Sequence, residues 1–202
     1  MKKILTAAIF ALLITASAAL AADIMLTTPT KTGGPSVLEA ISNRQSATVF
    51  ARRDVDLKEL STILWAATGK NREPKGWTIP LAMGQSPYVS VYVITKDGCF
   101  LYDWEKGMLK QTSDKKMLTK AGTQAFVGTA PVILVFTTKG SGPRIDNWAE
   151  IAVGAMSQNV YLAAEALDMK TRFVVSFNKM ALIDALNIGP LSRIIAIMPI
   201  GY

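Results

Sequence analysis

Pro131-Val132-Ile133-Leu134-Val135-Phe136 carries the clearest fold signal in the chain. The run is almost purely apolar and rich in β-branched residues, and no polar position alternates with the apolar ones. A strand with this pattern is buried on both faces, as a strand at the centre of a sheet should be. The sequence therefore predicts a sheet whose middle strand is shielded from water on both sides.

Helical and strand patterns surround this central strand. The longest helix is predicted from about residue 145 to residue 167; it is apolar nearly all round, so we expect it to be buried in a core or pressed against a partner. Shorter helices are predicted over residues 37–43, 57–67, 114–121 and 179–186. Further strands are predicted over residues 88–95, 99–103, 172–175 and 193–200. Because the strands and helices interleave without strict β-α-β order, the predicted class is α+β.

The N-terminus has the pattern of an export signal. Lys2 and Lys3 precede a short apolar run, and Ala19-Leu20-Ala21 supplies the small residues that signal peptidase recognises. The apolar run is short for a membrane span, although an uncleaved anchor is the alternative. We predict a signal peptide over residues 1–21, a periplasmic or secreted protein, and no membrane span in the mature chain.

Composition excludes several chemistries. The chain has no histidine, and Cys99 is its only cysteine. Catalytic triads, Cys-His pairs, histidine-ligated metals, cysteine-cluster metals and internal disulfides are therefore impossible. The formal charge of +7 is scattered in basic runs of at most two residues, so no nucleic-acid platform is indicated. The protein must borrow its chemistry from a cofactor, use carboxylates, or only bind.

Two irregular segments precede the first predicted strand. Residues 22–35 are rich in Thr, Pro and Gly and predict an extended N-terminal arm before a domain that spans residues 36–202. A second segment, with Pro74, Gly76, Pro80 and Gly84, predicts a long irregular loop, and loops of this kind are commonly functional or disordered.

The order of the motifs is similar to that of a known family. Ile41 to Phe50 resembles the N-terminal motif of the FMN-dependent nitroreductases: an arginine, a variable residue, a serine, and then an aromatic residue. The runs 56–69, 130–135 and 154–167 resemble the helix and turn that follow this motif, the central strand and the core helix of that family. The ending of the chain resembles the shorter subgroup that includes the SagB-type dehydrogenases. The resemblance covers residues 37–202.

The resemblance implies a homodimer with a mostly antiparallel sheet flanked by helices, and FMN bound at the dimer interface. By matched position, Arg44 would contact the FMN phosphate or ribityl chain, with Gln45 and Ser46 beside it. A helix cap or a carboxylate pair is the alternative role for Arg44. Backbone N–H groups near Val175 and Ser176 would lie near the flavin ring, where a plain strand end is the alternative. Met83, Gly84 and Gln85 fall where relatives contact the ring.

The resemblance further implies an oxidoreductase that transfers electrons or hydride to or from a small organic substrate by a ping-pong mechanism. Such a reaction requires no side-chain acid or base, which agrees with the missing histidine. The alternative is a non-catalytic or degenerate ligand-binding module on the same scaffold, because a fold does not guarantee a chemistry. A flavin-independent enzyme that uses carboxylates is a third possibility. The sequence identifies no electron donor.

Overall fold

A computed structural model describes residues 22–74, 76–80 and 88–202. The predicted signal peptide and the residues Met83, Gly84 and Gln85 lie outside the described residues. In chain order, the regular elements are β1 (Ile24–Met25), α1 (Val37–Asn43), α2 (Leu57–Thr68), β2 (Lys70–Arg72), β3 (Gly76–Trp77), β4 (Val89–Thr95), β5 (Gly98–Asp103), β6 (Met108–Ser113), β7 (Val132–Thr138), α3 (Pro143–Ala166), β8 (Lys170–Thr171), α4 (Lys179–Leu186) and β9 (Ile194–Gly201).

A seven-stranded sheet forms the centre of the molecule. Its strand order is β1-β6-β5-β4-β7-β9-β8, and every neighbouring pair is antiparallel. β7 lies between β4 and β9 and is buried along its whole length. The predicted central strand and the predicted α+β class are both confirmed, and the sheet is antiparallel as the resemblance implied.

The side chains of β7 alternate between two apolar cores, one on each face of the sheet. Leu134 and Phe136 pack with α2 and α3, whereas Ile133 and Val135 pack with α4. This two-sided burial explains why the strand is apolar at every position rather than at every second one.

The two N-terminal helices begin at capping residues. Ser36 and Asp56 each accept a hydrogen bond from the backbone N–H three residues on, at Glu39 and Glu59, and each glutamate side chain bonds back to the cap. Such reciprocal capping boxes satisfy N–H groups that have no partner within a helix. The predicted starts of α1 and α2 are therefore confirmed.

Helix α3 buries one side and exposes the other. Pro143 begins it, and it continues for 24 residues, which corresponds to about 36 Å. Ala152, Val153, Met156 and Val160 are buried in the core, together with other residues of that face. On the opposite face the side chain of Ile151 is 58% exposed. Among the described residues, no helix combines the length and the apolar composition needed to cross a membrane.

The helix predicted over residues 114–121 is wrong. Only a single 3-10 turn forms there, at Leu118–Lys120. The backbone carbonyls of this segment are used by other partners: that of Ala121 accepts from the Asn178 N–H, and that of Lys120 accepts from the Asn178 side chain. The segment therefore serves as the support for the start of α4.

The strand predicted over residues 172–175 is also wrong in extent. Regular pairing with β9 stops at Thr171, and Val174 alone returns to the sheet through an isolated bridge to Ile197. The register is unbroken between these points, and the residue opposite Arg172 on β9 is Pro199, which has no N–H to donate. The Phe173 N–H faces away from β9 and donates to the Tyr161 hydroxyl over 2.8 Å. Pairing with β9 ends after Val174.

The predicted irregular loop around residue 76 also differs from the structure, because β2 and β3 form a small antiparallel ribbon there.

The N-terminal arm lies along the sheet edge and α2. β1 pairs with β6, and the N–H groups of Thr27 and Thr30 donate to the hydroxyls of Ser61 and Thr62 on α2. The arm thus covers backbone groups at the β6 edge, which would otherwise be free to pair with another chain.

Candidate functional site

Arg44 stands at the C-terminal end of α1. Its backbone N–H closes the helix by donating to the Ala40 carbonyl over 3.0 Å, and its guanidinium lies 5.0 Å from the centre of the Tyr161 ring. No carboxylate of the described residues pairs with this guanidinium. The carboxylate pair left open by the sequence is therefore not formed, and the N–H donors of Arg44 remain available to a ligand.

Ser46 lies two residues further on, against β8. An isolated parallel bridge joins Ser46 to Thr171, and the Ala47 N–H donates to the Thr171 carbonyl over 3.0 Å. The Ser46 Oγ is 2.8 Å from the Tyr161 Oη. Gln45, between the two, is exposed and makes no hydrogen bond within the described residues. The three predicted residues therefore line the outside of the α1–β8 junction.

Val175 and Ser176 occupy the segment that has left the sheet. The segment is held on one side by Val174, whose N–H donates to the Ile197 carbonyl over 2.9 Å. On the other side it is held by Asn178, whose N–H donates to the Ala121 carbonyl over 2.9 Å. The side chain of Val175 is 69% exposed, and the Ser176 hydroxyl bonds to that of Thr123.

The backbone N–H groups of Val175 and Ser176 donate to no atom of the described residues. Backbone donors in folded proteins nearly always have a partner, whether protein, water or ligand. Val175 and Ser176 are both exposed, so these two consecutive N–H groups are accessible to water or to a ligand. Such donors suit the oxygen and nitrogen acceptors of a planar ligand.

The structure brings five of the eight predicted site residues to one edge of the sheet. The bridge at Thr171 and the bond from Phe173 to Tyr161 place the Arg44–Ser46 segment beside the segment that carries Val175 and Ser176. The groups gathered there include a guanidinium, a hydroxyl and two backbone N–H groups, all of which can donate. A site of this composition favours a ligand that carries an anionic group and further acceptors.

Two contributors were missed by the sequence analysis. Tyr161 was taken only as part of the core helix, yet its hydroxyl touches both halves of the site. Arg172 lies between the halves, with its guanidinium 5.3 Å from the Phe126 ring centre. A tyrosine at helical spacing is indistinguishable from an ordinary core residue until the strand it meets is known.

The fold is that of an antiparallel α+β protein, and one edge of its sheet carries donors suited to an anionic ligand. The model of the Nitroreductase family matches residues 41–202, and the chain belongs to that family. The match begins within α1 and ends at Tyr202, so it contains all the elements that build the site.

Individual relatives agree with this assignment. A predicted nitroreductase of Methanocaldococcus jannaschii is 28% identical over 179 residues, which are 81% of this chain and 89% of that protein. The crystal structure of a predicted nitroreductase from Ralstonia eutropha superposes with a TM-score of 0.80 at 28% identity, covering 89% of this chain and 88% of the other. A nitroreductase-like structure from Desulfovibrio desulfuricans in complex with FMN superposes with a TM-score of 0.61 at 22% identity, covering 83% and 86%. At this level of sequence identity, the third similarity shows the fold and not the cofactor.

Proposed function

We propose that the protein is an FMN-dependent oxidoreductase that transfers electrons to or from a small organic substrate. The observation that carries this proposal is the pair of unpaired N–H groups at Val175 and Ser176, beside an arginine that has no acidic partner. FMN has a phosphate at one end and a ring with several acceptors at the other, so the donors present fit both ends. A structural relative bound to FMN adds support.

The residues of the site have separate tasks in this proposal. Arg44 binds the phosphate, for which a planar guanidinium offers two parallel N–H donors. Gln45 and Ser46 bond to the ribityl chain, and the amides of Val175 and Ser176 hold the ring. Met83, Gly84 and Gln85 complete the ring contacts, as the resemblance implied. Bound FMN supplies the ability to accept and release electrons, so the protein contributes binding and orientation.

We further propose a ping-pong reaction in an exported protein of the short, SagB-like type. The donor and the acceptor bind in turn over the same exposed ring face, and neither needs a side-chain acid or base. Because nicotinamide cofactors are expected to be scarce outside the cytoplasm, a redox protein or a quinone is the expected electron donor.

A homodimer is the proposed assembly. The exposed side of α3 carries Trp148 and Ile151, which are 37% and 58% exposed, and Gly154, where a Cβ would meet no other atom. Helix α1, which contacts α3, exposes Val37 and Leu38 at 67% and 78%. Large apolar side chains exposed on neighbouring helices are typical of a protein interface, and a small residue allows another helix to approach closely. A second copy of the chain is the occupant that the family resemblance implies.

Ile151→Lys tests the dimer. We expect the wild-type protein to have twice the mass of the mature chain, and the variant to have the mass of one chain, because the interface would bury an unpaired ammonium. Light scattering coupled to size exclusion gives the mass. Met180→Lys is the matched control, since Met180 is 75% exposed but lies on α4 and should leave the dimer intact. A wild-type monomer at micromolar concentration would contradict the proposal.

A visible absorption spectrum tests the cofactor. We expect mature protein purified with FMN to show a flavin band with one FMN per chain, and anaerobic dithionite to bleach it reversibly. A colourless protein that also fails to bind added FMN would contradict the oxidoreductase proposal. It would favour a ligand-binding module on the same fold. Variants of the site would then be used to search for another anionic ligand.

A further inference from the structure

The Tyr161 side chain touches both halves of the candidate site. It projects from α3 and is 8% exposed. Its hydroxyl oxygen lies 2.8 Å from the Ser46 Oγ and 2.8 Å from the Phe173 backbone nitrogen. These two atoms belong to different segments, and the one hydroxyl joins them.

The directions of these hydrogen bonds matter for ligand binding. The Phe173 N–H donates to the Tyr161 oxygen, so the tyrosine still has its own proton to give. When that proton is donated to the Ser46 Oγ, the proton of Ser46 is left free for an acceptor on a ligand. In that arrangement Ser46 can donate toward the site; in the reverse arrangement the Tyr161 oxygen accepts from both Phe173 and Ser46.

The tyrosine ring also restricts Arg44. The guanidinium lies 5.0 Å from the ring centre, within the range of a cation–π contact. Because this contact uses the face of the ring, it occupies none of the N–H groups of the arginine. Arg44 is held in place while its donors stay available.

We propose that Tyr161 is a positioning residue of the flavin site, which holds the phosphate-side segment at Arg44–Ser46 and the ring-side segment at Phe173–Ser176 in one arrangement. This role rests on the proposed function. Preorganised donors bind more tightly than mobile ones because binding need not restrict them further. The hydroxyl acts on the two segments together, and the ring acts on Arg44.

Tyr161→Phe removes the hydroxyl and keeps the ring. In the absence of FMN, we expect the Phe173 amide to exchange its hydrogen faster than in the wild type. FMN affinity should fall about three- to tenfold, the effect of losing hydrogen bonds of ordinary strength. Tyr161→Leu also removes the ring, and its affinity should be lower still. Fluorescence titration of FMN gives the affinities.

Tyr202→Phe is the matched control. The Tyr202 hydroxyl is buried beside Glu59 and contacts neither segment of the site, so its removal should change neither the exchange at Phe173 nor FMN affinity. A double variant at Tyr161 and Ser46 gives a second measurement, which tests whether the two side chains act together on FMN binding. In a Ser46→Ala background, Tyr161→Phe should weaken FMN binding by less than half the fold-change seen alone, because part of its effect passes through that serine.

The outcomes separate this role from the proposed function. Wild-type protein that binds no FMN would overturn both. Wild-type FMN binding that Tyr161→Phe leaves unchanged would overturn the positioning role alone, even if the melting temperature fell, since Tyr161 would then be an ordinary core residue. Weaker FMN binding with faster exchange at Phe173, reduced in the Ser46→Ala background, is the expected result.

Discussion

Arg44→Ala is expected to lower the affinity for FMN about 100-fold while the protein stays folded. A bidentate contact between arginine and phosphate consists of charge-assisted hydrogen bonds, and losing it costs about 2–3 kcal/mol. The guanidinium makes no ion pair with the described residues and only stacks on Tyr161, so its removal should disturb the fold little. Fluorescence titration and a melting curve measure the two effects.

Two further variants make this prediction specific. Arg72→Ala removes the same charge from an exposed side chain on β2 and should leave FMN binding within about twofold of the wild type, because long-range surface charge is screened by salt. Arg44→Lys keeps the charge but loses the two parallel N–H donors of the guanidinium. Its affinity for FMN should therefore lie between those of the wild type and Arg44→Ala. Full retention of FMN by Arg44→Ala would show that the phosphate binds elsewhere.

Phe136→Ala is expected to lower the free energy of unfolding by about 3–5 kcal/mol. Phe136 is fully buried in β7, between Val91 of β4 and Ala196 of β9, and its ring belongs to the core shared with α2 and α3. The loss combines the transfer of the ring to water with the cavity that remains. It would be a large share of the 5–15 kcal/mol that stabilises a typical domain.

Urea unfolding of the FMN-free protein measures this effect without a contribution from ligand binding. Leu191→Ala is the control, because Leu191 is 67% exposed and its truncation should change stability by about 0.5 kcal/mol or less. Equal midpoints for the two variants, at unchanged urea dependence, would contradict the placement of β7 at the centre of the core.

Local patterns were enough to predict much of the fold. β7 was predicted from an unbroken apolar run, and α1 and α2 from short-range patterns over residues 37–43 and 57–67. These features depend on residues within a few positions of one another, so a single sequence contains the information. The residues around Arg44 were found through a motif of the same local kind.

The errors lie where the partner segment decides the structure. Residues 114–121 have a helical composition, but only the 3-10 turn Leu118–Lys120 forms, and the Lys120 and Ala121 carbonyls bond to Asn178, which is distant in sequence. Residues 172–175 have a strand composition, but the position opposite Arg172 on β9 is Pro199, which has no N–H to donate. The local sequence of a segment does not contain the identity of its distant partner.

The amino-acid sequence by itself determined the family, the central strand, the capped helices and the absence of histidine chemistry, because each of these follows from residue type or from short-range order. Only the tertiary structure decided that pairing with β9 ends after Val174, that the amides of Val175 and Ser176 are left unpaired, and that Tyr161 joins the two halves of the site. The physical reason is that hydrogen bonds between distant segments depend on packing the whole core, and this packing determines which backbone groups remain available to a ligand.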